Sequence, residues 1–154
     1  MPTEKYVSEK PAILRTEVEE VDFKRADIRF IEVDHSGASY EGRVFLNNRD
    51  ANEKTAKTPE KGYAGSFYVF GHGGCYGDVG HCDVPTQRRP YDLRDPHPLL
   101  PRDMNVIITE ALRKQMKKSK EVHVTVVPVV MASTEKCDLT KVLKFKRFEI
   151  LTYK

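Results

Sequence analysis

Along most of the chain, apolar and polar residues alternate with a period of two, in short segments punctuated by Gly, Pro and polar residues. That is the pattern of β-strands with one face turned to a core. Residues 26–34 (ADIRFIEVD) place Ile28 and Phe30 on one face and Ile31 and Val33 on the other, so both faces are expected to be partly covered. Residues 39–46 (SYEGRVFL) and 63–70 (YAGSFYVF) read the same way, with a polar loop, NNRDANEKTAKTPEKG, and no apolar anchor between them. Residues 122–130 (VHVTVVPVV) are rich in β-branched side chains. There Pro128 lacks the N–H of a central ladder and points to a sheet edge or a bulge. Residues 142–153 carry Leu143 and Phe145 in one phase and Phe148 and Ile150 in the other, which a bulge near Lys146 and Arg147 would reconcile.

One segment breaks this pattern. Over residues 103–118, Met104, Ile107, Ile108, Ala111, Leu112 and Met116 follow helical spacing, with Asp103 available as an N-cap and lysines at the far end. The alternative is a strand over 106–108 followed by a short helix capped by Thr109. The preceding residues 83–103 hold five of the nine prolines, too many for regular structure. Five or more strands, one short helix and long loops predict a mainly β protein. The expected architecture is an antiparallel β-sandwich, cupredoxin-like or similar, over residues 26–154, with 1–25 as an N-terminal extension.

Composition narrows the function classes. The 154 residues are 39% hydrophobic and 32% charged, enough for one buried core without disulfides. Nothing approaches the roughly 18 apolar residues of a membrane span, and the N-terminus lacks the apolar region of a secretory signal, so a cytoplasmic address is expected. A net charge of +3, with acids and bases interspersed, does not describe a nucleic-acid binder. The lysines of residues 114–120 read as the solvated end of the helix. Three cysteines, an odd number, point to thiols or a metal rather than a disulfide framework.

Candidate chemistry concentrates in residues 71–82, GHGGCYGDVGHC, with two histidines, two cysteines, a tyrosine and five of nine glycines. Imidazole and thiolate are ligands of zinc and of Cu(I), so His72, Cys75, His81 and Cys82 are the candidate metal set. His97 and Met104 are the softer auxiliary ligands. The competing reading is a glycine-rich connection whose cysteines are buried thiols or a local disulfide. No GxSxG elbow, Walker loop, GxGxxG turn or HExxH helix occurs. A Cys75/His72 nucleophile pair is the catalytic alternative, set against a structural role for both residues in the glycine loop. His35 and His123 read as ordinary satisfied or surface histidines, and Tyr63, Tyr68 and Tyr91 as packing on the sandwich.

In order along residues 27–153, the segments GYAGSF with the following His72, then VIITEAL (106–112), VHVTVVP (122–128) and FEI (148–150) resemble the C-terminal β-sandwich of the tyrosinase and polyphenol oxidase family. The resemblance implies an accessory fold, here as a free-standing chain, that covers a partner's copper site, blocks it with a side chain or helps to load it. The partner would be a tyrosinase-like catalytic domain or subunit, and a homo-oligomer is compatible with such a chain. Type 3 copper enzymes use six histidines on a helix bundle, whereas this chain has five, so it is not expected to be catalytic alone. In that family an accessory side chain occupies the catalytic pocket, and Tyr76, flanked by glycines, is the candidate plug. The alternative is a small zinc or copper protein, or a metalloenzyme, that uses the His72 to Cys82 loop directly. A blue-copper centre is disfavoured, because Cys82 has no His before His97 and no Met before Met104.

Overall fold

Alternation at the predicted segments does produce strands. The computed structural model describes residues 4–15, 22–73, 90–91, 93, 100–130, 140 and 142–154. In chain order the elements are β1 (Tyr6–Val7), β2 (Leu14–Arg15), β3 (Arg25–Val33), β4 (Tyr40–Leu46), a 3-10 turn (Pro59–Lys61), β5 (Tyr63–Val69), β6 (Arg102–Ile107), α1 (Thr109–Met116), β7 (Val124–Val130) and β8 (Arg147–Tyr153). They form two four-stranded sheets, ordered β1-β7-β4-β5 and β2-β8-β3-β6. Every pairing is antiparallel except the short β2–β8 contact. The two sheets pack as a β-sandwich. Between them lies a core of alternate residues, including Ile28, Phe30, Tyr40, Val44, Leu46, Phe67, Val124, Val126 and Ile150. Phe30 sits at its centre, 4.8 Å from the Phe67 ring across the sandwich and 5.2 Å from Phe145. Burying one such side chain stabilises by about 1.5–3 kcal/mol.

Two bulges adjust the pattern. Along the β3–β6 ladder Phe30 faces Met104 but Val33 faces Arg102, so β3 carries one extra residue, and Glu32 takes the left-handed conformation at φ 55°. The extra residue reverses the phase. Val33 therefore joins the same core as Ile28 and Phe30 instead of lying opposite them. On β5 the extra residue falls at Ala64 and Gly65, where φ is 146° and a Cβ would stand 2.6 Å from Val106 Cγ1; glycine alone suits that position.

Other expectations need correction. The helix begins at Thr109, not Asp103. Residues 102–107 are drawn into the β3 ladder, where Asp103 accepts hydrogen bonds from Arg29 and the Glu32 amide instead of capping a helix. Tertiary pairing overrides the helical spacing there. The residue at the N-cap is Ile108, while the Thr109 hydroxyl accepts from the Ala26 amide. The loop over 47–62 does have an anchor: Ala51, 1% exposed, packs with Phe45 and Val127 on the outer face of its sheet. β7 is an inner strand where β1 pairs with Thr125 and Val126, and Pro128 lies past that pairing, opposite Gly42 of β4. No register shift marks the β3–β8 ladder; β8 starts at Arg147, after Val142, Leu143 and Phe145 have packed on the core outside any strand. Within the first 25 residues, β1 and β2 each add to a different sheet.

Candidate functional site

At one end of the sandwich, three connections converge. β3 runs out into residues 34–39, β5 runs out at Val69 into Phe70, Gly71 and His72, and the chain entering β6 passes at Leu100. The crossing is close, because a Cβ on Gly71 would lie 2.1 Å from the Gly37 carbonyl oxygen. Backbone bonds pin it: the His72 amide donates to the His35 carbonyl at 2.9 Å, the Gly73 amide to the Gly37 carbonyl at 2.8 Å and the Gly71 amide to Ser39 Oγ at 3.0 Å.

The crossing brings two imidazoles together. His35 Nδ1 and His72 Nδ1 are 3.2 Å apart, and their ring planes are inclined at 72°. His35 Nε2 lies 2.6 Å from the Leu100 carbonyl oxygen. A carbonyl only accepts, so His35 carries its proton on Nε2, and its Nδ1 is left bare toward His72. In the neutral pair, His72 then carries its proton on Nδ1, shared between His35 Nδ1 and the His35 carbonyl at 3.2 Å. A pocket of about 320 Å³ opens beside the pair, lined also by Val33, Tyr68, Phe70, Arg102 and Met104. Phe70 stands edge-on to His72 at 5.8 Å. Beneath it, burial works against the Asp34 carboxylate, but hydrogen bonds from Ser36 and the proximity of Lys144 and His35 outweigh it and hold the group below its ordinary range.

The candidate set is therefore only partly assembled. His72 and Met104 share a pocket. Cys75, Tyr76, His81, Cys82 and His97 lie outside the described residues. Among the described residues, no group of three or more His, Cys, Asp or Glu is placed to hold a metal ion. His35, read from sequence as an ordinary histidine, is 9% exposed and is the partner of His72. Its signal was slight: a histidine directly after a strand, two residues before a glycine. His123 stands elsewhere, accepting from Arg49 at 2.8 Å. Tyr63 does pack, against Phe45, but Tyr68 and Tyr91 do not, being 58% and 100% exposed.

A second polar cluster lies on the outer face of the first sheet. Glu41 accepts from Ser66 Oγ at 2.7 Å, Lys57 at 3.0 Å and Arg43 at 3.0 Å. Burial raises its pKa, yet those three donors together hold it below the usual carboxylate range. Each oxygen is engaged by side chains that also fasten the 47–62 loop, and the cluster reads as a structural clasp.

Solved structures share this fold. Latent aurone synthase (polyphenol oxidase) from natural source superposes with a TM-score of 0.50 at 17% identity, over 99% of this chain and 25% of that one. The recombinantly expressed latent enzyme co-crystallized with hexatungstotellurate(VI) gives 0.51 at 18% identity, over the same shares. The chain thus spans about a quarter of the length of this polyphenol oxidase and has the fold of that part of it. No protein-family model matches the sequence, and no curated protein is similar enough to count as a relative.

Proposed function

We propose that the chain is an accessory domain of a tyrosinase-type copper protein, seating against a catalytic partner and covering its copper site. The observation that carries this reading is the fold, shared over 99% of this chain with a quarter of latent aurone synthase, a polyphenol oxidase, in two solved structures. The sequence resemblance in residues 27–153 points the same way. The surface supports docking. Tyr68 and Phe70, 58% and 81% exposed, line the histidine pocket, and Leu100, 64% exposed, meets His35 through its carbonyl; together they present apolar surface that water does not favour. Catalysis belongs to the partner on this reading. Of the three described histidines, His35 and His72 meet and His123 is bonded elsewhere, so the described residues do not supply a paired-copper centre. Tyr76, four residues beyond His72, is the side chain proposed to enter the partner's pocket.

The test is to titrate the purified chain into a type 3 copper oxidase from the same genome, freed of any covering domain, and to follow catechol oxidation. Dose-dependent, saturable inhibition is expected, relieved by Tyr76→Gly with an unchanged melting temperature. Absence of both inhibition and a complex on gel filtration would refute the reading. A complex that inhibits equally with Tyr76→Gly would remove Tyr76 alone.

A further inference from the structure

We propose that His35, His72 and Met104 form a binding site for a soft monovalent d10 cation, Cu(I) in a cell, held between the two imidazoles and the thioether. The inference rests on this chain's own geometry and stands whether or not the chain docks on a copper protein.

Three observations converge on it. First, the spacing fits. Two nitrogen ligands with metal bonds of about 2.0 Å in tetrahedral geometry stand about 3.3 Å apart, and the two Nδ1 atoms are 3.2 Å apart. An ion between them takes the place now held by the shared proton, and His72 moves its own proton to Nε2, so no proton is lost from the pair. Second, the outer shell is already built. His35 gives its far N–H to the Leu100 carbonyl at 2.6 Å, the arrangement that orients a ligating imidazole and fixes its bare nitrogen toward the ion. The backbone bond from His72 to His35 and the tight crossing at Gly71 hold both rings in place before any ion arrives.

Third, the donor set selects the ion. Met104 lines the same pocket, and thioether with imidazole is a soft, neutral set. Among the described residues the pocket lining holds Arg102 and no carboxylate, and the nearest acid described is Asp34, which interacts electrostatically with His35. With Arg102 already in the lining, one nearby carboxylate can balance a monovalent ion but leaves a divalent ion with excess charge. Met104 reaches the pocket only because residues 102–107 form β6 rather than a helix, so the site depends on the same tertiary pairing that the sequence conceals.

The experiment uses Ag(I), a redox-inert d10 probe, on the full chain carrying Cys75→Ser, Cys82→Ser and Cys137→Ser, so that thiolates do not compete. Calorimetry and NMR of the imidazole and methionine methyl signals follow the titration. One equivalent is expected to bind, shifting His35, His72 and the Met104 methyl together. Removing an outer-shell partner typically costs 10–100-fold in metal affinity, so His72→Gln should weaken binding by about 100-fold or more. Met104→Leu, close in volume, should weaken it by about tenfold with the fold intact. Lack of stoichiometric binding, affinities unchanged in both variants, or Zn(II) bound as tightly as Ag(I) would overturn the proposal. If the serine variant does not fold, the Met104 methyl signal of the unaltered chain decides: a shift during the titration supports the site, and a signal unmoved at saturation overturns it.

Discussion

Gly42→Ala probes the centre of the sandwich. Gly42 lies in β4, paired with Phe67 on one side and Pro128 on the other, and the Phe67 ring lies over it. An added Cβ would meet three atoms of that ring at 2.4, 2.6 and 2.8 Å. The ring has little room to move, being 3% exposed and backed by Phe30 at 4.8 Å and Tyr40 at 6.1 Å. On backbone entropy alone, alanine in a strand would stabilise by about 0.5–1 kcal/mol. Overpacking a filled core costs about 1–3 kcal/mol, and three simultaneous overlaps with a wedged ring put this case near the upper end. The net expectation is a loss of about 1–2.5 kcal/mol. At roughly 2–4 °C per kcal/mol for a domain of this size, that is a fall of about 2–10 °C in melting temperature. Urea and thermal denaturation followed by circular dichroism measure it, and a double-mutant cycle with Phe67→Leu locates it, because alanine should cost less once the ring is gone. A Gly42→Ala protein as stable as its parent, or one equally destabilised in the Phe67→Leu background, would refute the reasoning.

Three further predictions follow from buried polar groups and the chain crossing. Tyr40 is 1% exposed, burial pushes its pKa upward, and its hydroxyl has no hydrogen-bond partner among the described residues. Tyr40→Phe should therefore stabilise by about 1 kcal/mol, read as a higher urea midpoint; a loss of stability would reveal a partner. Asp27, held below its ordinary pKa first by Arg25 and then by Asn105, and Glu41, held down by its three donors, have depressed folded-state values. Their contribution is thus present above the unfolded-state pKa near 4 and lost as pH falls through the folded values. The urea midpoint should drop on acidification below about pH 4, less steeply in Asp27→Asn and Glu41→Gln. Gly71→Ala, with its Cβ driven against the Gly37 carbonyl, should separate the imidazole pair and abolish the mutual perturbation of the His35 and His72 ring signals; spectra identical to the parent's would contradict the crossing.

Strands long enough to show several alternations were legible: β3, β4, β5 and β7 fall within two residues of their predicted bounds. β1 and β2, two residues each, are too short to leave a period. β6 was legible only in part, as the alternative strand over 106–108, because Met104, Ile107, Ile108 and Ala111 also satisfy helical spacing, while the decisive fact, pairing with β3, lies about 70–80 residues away in sequence. The bulge at Glu32 was invisible for a related reason, since an extra residue exists only relative to the strand opposite. Tyr68 could have been placed outward, as its neighbours Phe67 and Val69 are the buried pair. The histidine pair could not. His35 and His72 are 37 residues apart and meet only because the topology sets the exits of β3 and β5 side by side.

The sheet order has a consequence for how the chain is made. β4 pairs early with β5, but its other edge waits for β7, and β3 waits for β8. About 60 residues separate the end of β5 from the end of β7, on the order of 3–12 s of synthesis at roughly 5–20 residues per second. Through that interval the β4–β5 hairpin presents an open edge carrying Tyr40, Val44 and Leu46, side chains that end fully covered. Nascent chains are therefore most vulnerable to sticking to one another, or to a chaperone, before Val124–Val130 emerges. Truncation anywhere upstream of β7 should yield aggregate rather than a smaller soluble sandwich.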